Sequence, residues 1–223
     1  MINKITLIII KIFDYFHKKK IINFLKKKNT LSFNTILDVG GHKGESIELF
    51  LKYFNSDKLI SFEASPVNYT MLKNNLNKIK KKFKNTEIVI ENFATGNENK
   101  FLTINQFSES SSSTLKPVDI NSNYFKKKFF FLKKNNKENL FRKVEVKMIL
   151  LNDYLTEKKI NKVDFLKIDT EGYEYETILG LKEKLKNVKL ILFEHHYDNM
   201  ILKKYKFRNI NKILVDSNFL QIL

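Results

Sequence analysis

The chain has 223 residues, 43% of them hydrophobic, with a formal net charge of +17, enough apolar content for one well-buried domain and too little length for two. It contains no cysteine, which excludes disulfides, thiolate nucleophiles and cysteine-based zinc sites and is compatible with a reducing, cytoplasmic setting. Arg142 and Arg208 are the only arginines, so the positive charge is almost all lysine and reads as solvated faces. Base-reading surfaces draw on arginine forks, and no specific nucleic-acid partner is expected.

Residues 1–30 carry two lysine-punctuated apolar runs, Ile5 to Ile10 and Ile21 to Leu25. Each falls short of the roughly 20 apolar residues that a bilayer crossing needs, and the first has no small-residue cleavage site of the signal-peptide kind. An amphipathic helical segment is expected, packed against the domain edge in preference to lying on an anionic membrane. The protein is then cytoplasmic, at most peripheral to the inner face of the membrane, and residues 31–223 form a single domain.

From Thr35 the pattern alternates: strand Ile36 to Val39, helix Gly44 to Phe54, strand Leu59 to Glu63, helix Pro66 to Lys82 and strand Glu87 to Phe93. Pro66 suits a first helical turn. Such alternation predicts an α/β fold, a doubly wound, mostly parallel, Rossmann-like sheet whose strands end along one edge. The first strand runs into Asp38-Val39-Gly40-Gly41-His42-Lys43-Gly44, a glycine-rich turn that lets a ligand approach the backbone closely. Glu63 ends the next strand, where an acid grips ribose hydroxyls in open α/β sheets. The pair reads as a nucleotide-cofactor pocket. The turn does not fit G-x-G-x-x-G, which argues against a nicotinamide dehydrogenase.

Between Ala94 and Lys162 the alternation breaks down. Phe101 to Phe107 and Val144 to Leu150 look like strands, separated by the Ser110 to Ser113 run and the lysine- and phenylalanine-rich stretch Tyr124 to Lys134. This is a β-rich insertion at about 96–150, expected to hold a hairpin or short helix and to form a substrate wall. The serine run reads equally as a flexible loop or a ligand contact. The alternation resumes with strand Val163 to Asp169, a helix from Tyr173 to Lys186, strand Val188 to Glu194 and a last helix from Asn199 to Ser217, before a short carboxyl end at Phe219 to Leu223.

The turn, Phe62-Glu63-Ala64, Leu151-Asn152-Asp153-Tyr154-Leu155, Lys167-Ile168-Asp169-Thr170-Glu171-Gly172-Tyr173-Glu174 and Phe193-Glu194-His195-His196 stand in the order seen in the FkbM family of S-adenosylmethionine-dependent methyltransferases. The chain resembles that family from about Ile36 to His196, and the block from Lys167 to Glu174 is the specific signal. The resemblance implies a class I methyltransferase fold using S-adenosylmethionine, often on hydroxyls of sugars and other natural products. It implies that Asp38 and the turn Gly40, Gly41 and Gly44 line the methionine moiety and that Glu63 holds the ribose. Asn92, Phe93 and Ala94 would flank the adenine, with Asp169 beside the methionine end. The chain departs from the family in two places. Gly41 and His42 stand where the family usually has a small residue and Asn, and the carboxyl end is too short for both strands of the usual terminal hairpin.

A methyl acceptor with a hydroxyl gains from a base, and His195 at the end of its strand is the preferred one, with Asp169 and Glu171 as alternatives. His196 would point elsewhere if the backbone stays extended. A divalent metal on Asp169, Glu194 and His195 is disfavoured, because no compact His-x-x-x-His motif is present. Glu171, Glu174 and Glu176 also suit a helix N-terminus, where negative charge meets the positive dipole end. The expected activity is O-methylation of a saccharide or glycan-type hydroxyl. The alternatives are a nucleic-acid methyltransferase, which would lack an Asn-Pro-Pro-Tyr type of segment, and a non-catalytic cofactor-binding module docking through its N-terminal segment to a membrane or partner.

Overall fold

A computed structural model describes residues 19–27, 32–107, 113–131, 141–197 and 199–221. In chain order these form a helical stretch at 19–27 (α1), β1 (Ser32–Val39), α2 (Glu45–Tyr53), β2 (Asn55–Phe62), α3 (Pro66–Lys82), β3 (Glu87–Glu91), β4 (Ala94–Gly96) and β5 (Lys100–Phe107). There follow α4 (Asn123–Phe131), β6 (Phe141–Leu150), α5 (Leu151–Glu157), β7 (Phe165–Ile168), α6 (Glu174–Leu179), a 3-10 turn (Lys182–Asn187), β8 (Ile191–Phe193) and α7 (Phe207–Asp216).

Five strands make a sheet in the order β3-β2-β1-β7-β8, and every neighbouring pair is parallel. This is the doubly wound α/β architecture that alternating strands and helices predict. Its strands are apolar on both faces because helices cover both. On one face Phe33, Ile36, Leu59 and Phe165 meet Ile22 and Leu25 of α1, Ile47 and Phe50 of α2, and Leu72 and Ile79 of α3. Phe165 is the hub there, stacked on Phe33 at 5.2 Å and edge-on to Phe50 at 5.0 Å. On the other face Leu37, Val39, Ile60, Leu166 and Ile168 meet Leu151 and Leu155 of α5, Ile178 of α6 and Ile210 of α7. Each such fully buried side chain is worth about 1.5–3 kcal/mol.

The N-terminal helix packs on the sheet through Ile22 and Leu25, as a core face does; the rest of the 1–30 segment lies outside the described residues. Among the described residues no helix is long and apolar enough to cross a membrane. α3 has the caps that its sequence calls for. Ser65 accepts the Asn68 amide at 3.2 Å, Pro66 opens the first turn, and Lys80, Lys81 and Lys82 sit at the negative end.

The irregular middle of the chain folds as a second sheet, β4-β6-β5. β5 and β6 are antiparallel and β4 runs parallel to β6, with α4 in the lysine- and phenylalanine-rich stretch. Buried polar contacts seat this sheet over the main one. Thr95 and Thr177 join hydroxyls at 2.9 Å, and Ser65 Oγ donates to Gln106 Oε1 at 2.6 Å.

Several expected bounds are corrected. The helix predicted from Tyr173 to Lys186 stops at Leu179 and resumes as a 3-10 turn at Lys182. The interruption falls at Gly180, where a Cβ would lie 1.9 Å from the Gly96 carbonyl oxygen. The helix predicted from Asn199 to Ser217 is confined to α7. Residues 200–202 pair their backbone sideways: Asp119 N donates to Met200 O at 2.8 Å and Leu202 N to Pro117 O at 2.9 Å. The strand predicted from Val188 to Glu194 shrinks to β8, with Val188 in a lone bridge to Val163. β3 ends at Glu91, because Ala94 to Gly96 leave for the second sheet, and β1 and β2 begin earlier than predicted. Of the serine run, only Ser113 falls among the described residues.

Candidate active site

β1 is hydrogen-bonded to both β2 and β7, so the chain's crossovers depart in opposite directions from that point. Open α/β sheets bind ligands at this switch point, outside the carboxyl ends of the strands. Gly40 ends β1 with φ +86°, and a Cβ there would lie 1.9 Å from the Asp169 carbonyl oxygen at the end of β7. Only glycine allows the two strand ends to come this close. The turn is then stitched to β2, with Gly40 N and Gly41 N both donating to Phe62 O at 2.9 and 3.0 Å. His42 is left-handed, φ +47°, a region that histidine, like Asn and Asp, enters more readily than most residues. That is how it can stand where the resembled family usually carries Asn.

Glu63 follows β2 and is 7% exposed. Its carboxylate accepts the His42 amide at 2.7 Å and the Ser65 amide at 2.8 Å, on different oxygens. Burial pushes its pKa up, against the two amides. The Asn68 side chain also bonds to this carboxylate, and of its roughly four acceptor sites one remains to which a ligand hydroxyl can be added. Beside it lies a cavity of about 90 Å³, lined by Gly40, His42, Glu63, Phe93, Ala94 and Asp169. Ile104, Ser113 and Leu115 of the second sheet and its following segment form the roof. A neighbouring groove of about 680 Å³ shares Gly40, His42 and Asp169 with it and also includes Gly41, Lys167 and His195. With this groove the site reaches the few hundred Å³ usual for cofactor pockets.

Gly41 lines only the groove, and three predicted cofactor residues lie off both the cavity and the groove. The Asn92 side chain turns back to the Glu63 carbonyl, donating at 2.7 Å. Gly44 turns in beneath the sheet edge against Leu72 and Ile79. Asp38 is fully buried, its Oδ2 accepting Ser46 Oγ at 2.7 Å and Ser61 Oγ at 2.9 Å. Its other oxygen is 3.3 Å from Lys167 Nζ, which also donates to Gly40 O at 2.8 Å and lies 3.4 Å from Asp169. Burial alone would lower the Lys167 pKa, but Asp38 and Asp169 outweigh it and hold the value well above the ordinary lysine range. Asp38 therefore supports the turn from beneath through Lys167. Lys167 opens the block that carries the family resemblance, and a lysine inside the apolar run of β7 is the visible break of pattern that marks its role under the turn.

Asp169 opens the loop into α6. Glu174, fully buried, knits this loop: Oε1 accepts Thr170 N at 3.2 Å, Thr170 Oγ1 at 3.0 Å and Gly172 N at 2.9 Å, and Oε2 accepts Tyr205 OH at 2.6 Å. The loop passes through two left-handed residues, Glu171 at φ +51° and Gly172 at φ +98°. Thr114 Oγ1 donates to Glu171 O at 2.6 Å from the roof. Glu171 lines the small cavity, and His196 Nε2 lies 3.3 Å from its Oε2.

His195 goes elsewhere, as alternation along an extended segment requires. Its ring packs on those of Tyr197, Tyr205 and Phe207 and lines the larger groove. Burial and then Lys203 lower its pKa, so it is neutral at neutral pH. Glu194 is exposed. Among the described residues no cluster of three or more His, Asp or Glu side chains could hold a metal ion.

The chain matches the Methyltransferase FkbM domain over residues 38–220, from the buried aspartate of the turn to the segment after α7. The chain belongs to the FkbM methyltransferase family. It is also similar to the crystal structure of Methyltransferase FkbM from Methylobacillus flagellatus KT, at 13% identity and a TM-score of 0.46, over 70% of this chain and 31% of that one. The chain thus spans under a third of that protein's length. A comparison with curated proteins found no match. In this FkbM-family domain the cavity faces Glu63 and Asp169 across the glycine turn, and the second sheet closes it from above.

Proposed function

We propose that the chain is an S-adenosylmethionine-dependent methyltransferase acting on a hydroxyl of a saccharide or glycan-type acceptor. One observation carries this reading: Gly40, Glu63, Ala94 and Asp169, from the ends of separate strands, converge on one cavity at the switch point. Glu63 would accept the ribose hydroxyls, Phe93 and Ala94 would lie against the adenine, and the turn at Gly40 and Gly41 with Asp169 would hold the methionine end. When bound, the cofactor supplies an electrophilic methyl group on a sulfonium. The chain's own residues fix the acceptor and exclude water with Ile104 and Leu115 of the roof and with Tyr173 beside them. Holding two reactants in line can contribute about 7–11 kcal/mol.

A polyhydroxylated acceptor suits the groups at hand, which are the carboxylates Asp169 and Glu171 and the imidazole of His195. Arg142 and Arg208, the arginines a phosphate or base would favour, lie in β6 and α7, off the cavity and groove. We place the protein in the cytoplasm, with any membrane contact confined to residues 1–30.

Calorimetric titration with S-adenosylmethionine and S-adenosylhomocysteine tests the pocket, followed by transfer of tritiated methyl to a panel of monosaccharides and glycans. Wild type is expected to bind both ligands in the micromolar range, and Glu63→Ala to weaken binding by roughly tenfold or more, the value of a hydrogen bond to a charged group. Unchanged affinity in that variant would remove Glu63 from the ribose. No binding to wild type would overturn the reading, and binding without transfer to any acceptor would favour a cofactor-binding module.

A further inference from the structure

We propose that Glu171 and His196 act as a coupled proton-accepting pair, with Glu171 the group that meets the acceptor hydroxyl and His196 the residue that positions it. The assignment rests on the methyltransferase reading above and names a pair that the sequence divided, since His195 was the preferred base there.

The first support is geometric. His196 Nε2 stands 3.3 Å from Glu171 Oε2, and the two side chains are 16% and 19% exposed. The pair stands at ion-pair distance without the alignment of a hydrogen bond, and shielding from water strengthens the attraction whenever the imidazole carries a proton. His196 is itself anchored, because its carbonyl accepts the Lys203 ammonium.

The second is the company Glu171 keeps. Three carboxylates line the small cavity, and each has a different partner. Glu63 receives two backbone amides, Asp169 faces the Lys167 ammonium, and Glu171 faces an imidazole. Backbone amides and a lysine ammonium donate hydrogen bonds to a carboxylate but do not exchange protons with it near neutral pH. An imidazole is the side chain that exchanges protons near neutral pH, so only the third arrangement suits proton transfer.

The third is the backbone. A non-glycine residue at φ +51° costs energy unless its surroundings impose the shape. Here they do so through backbone contacts: Glu174 holds the amides of Thr170 and Gly172 on either side, and Thr114 holds the Glu171 carbonyl. The loop holds Glu171 where it both lines the small cavity and meets His196.

In the reaction the acceptor oxygen forms its bond to the methyl carbon as the carbon–sulfur bond breaks. Sulfur keeps that electron pair and loses its charge, and the hydroxyl proton passes to the Glu171 carboxylate.

One arm of the test needs no acceptor. The protein has four histidines, so nitrogen-15 labelling of histidine, with assignment by single His→Gln variants, reports each ring. Glu171→Gln is expected to shift the ring nitrogens of His196 and leave those of His42, which pairs with Glu45, in place. The second arm measures tritiated-methyl transfer to the saccharide panel. Glu171→Gln should lower turnover by about 10²-fold or more with cofactor affinity unchanged. His196→Ala should lower kcat by about tenfold at constant KM, and His196→Gln, which keeps a nitrogen near Nε2, should recover most of it. The double variant Glu171→Gln with His196→Ala should be no slower than Glu171→Gln alone, because coupled residues are not additive.

Unmoved His196 resonances in Glu171→Gln, wild-type turnover in that variant, or full additivity would each overturn the pair. Those outcomes leave the methyltransferase reading standing if wild type binds the cofactor. Failure of wild type to bind it would overturn both.

Discussion

The floor of the cavity, where β1 and β7 end side by side, is held by one close backbone approach and one multiply bonded carboxylate. Gly40 lies against the Asp169 carbonyl, and the Glu174 carboxylate takes four hydrogen bonds. The roof is held differently, by single side-chain contacts such as Thr114 to the Glu171 carbonyl and Ser65 to Gln106. A floor built on backbone geometry has few sequence solutions. A roof hung on separate side chains can change one contact at a time, so the acceptor's identity is expected to reside there and the cofactor's in the floor.

The sharpest way to break this contrast is Gly40→Ala. Its Cβ would meet the Asp169 oxygen at 1.9 Å in a left-handed backbone, and a loss above about 4 kcal/mol with no cofactor binding is expected in urea unfolding and calorimetry. Glu174→Ala comes next. It strands two amides and the Tyr205 hydroxyl, for an expected loss of about 3 kcal/mol by the same unfolding measurement. Near-wild-type stability in either variant would mean the floor is no more demanding than the roof. Thr114→Val removes the hydroxyl that donates to Glu171 O and accepts the Lys116 amide and should cost about 1–2 kcal/mol, raising KM for the acceptor while cofactor affinity stays. A larger change in cofactor affinity than in acceptor KM would erase the proposed division.

The smallest expected effect concerns pH. Burial lowers the His195 pKa, so as pH falls through the ordinary histidine range the unfolded chain takes up a proton that the native state resists. Stability is full above that range and declines below it. Unfolding curves at about pH 7 and pH 5 should show a slightly smaller decline in His195→Phe than in wild type. An identical decline would show that the His195 surroundings do not resist its charge.

The same contrast governs what the sequence made legible. Glu63 and Gly40 could be found because an acid at a strand end and a glycine in a tight turn are local signals. Asp38 carries the same local signal, yet Ser46, Ser61 and Lys167, from three other elements, take it under the turn. Of the two adjacent histidines, His196 rather than His195 faces Glu171, a matter of strand register that becomes definite only once β8 is seated. Apolar spacing at Met200 and Ile201 imitates a helix face, but those side chains are buried with Phe107 and Phe125 beside the second sheet. The insertion was legible as strands and a helix, whereas its place over the cavity depends on contacts such as Thr95 with Thr177, 82 residues apart.

The crowding at Gly180 bears on how the molecule could be re-engineered. Gly180 lies against the Gly96 carbonyl and accepts the Asn152 amide at 2.9 Å, and Gly96 is paired in register with Leu150. The chain therefore leaves the main body and returns to it at one spot. None of the pairings of the five-stranded sheet uses a residue between 97 and 149. Neighbouring ends are what make a module transplantable, since joining them needs only a short link and little closure entropy. Exchanging the stretch between would need a short link at this spot and, in the main body, partners for the contacts it makes there, Gln106 with Ser65 and Thr114 with the Glu171 carbonyl among them.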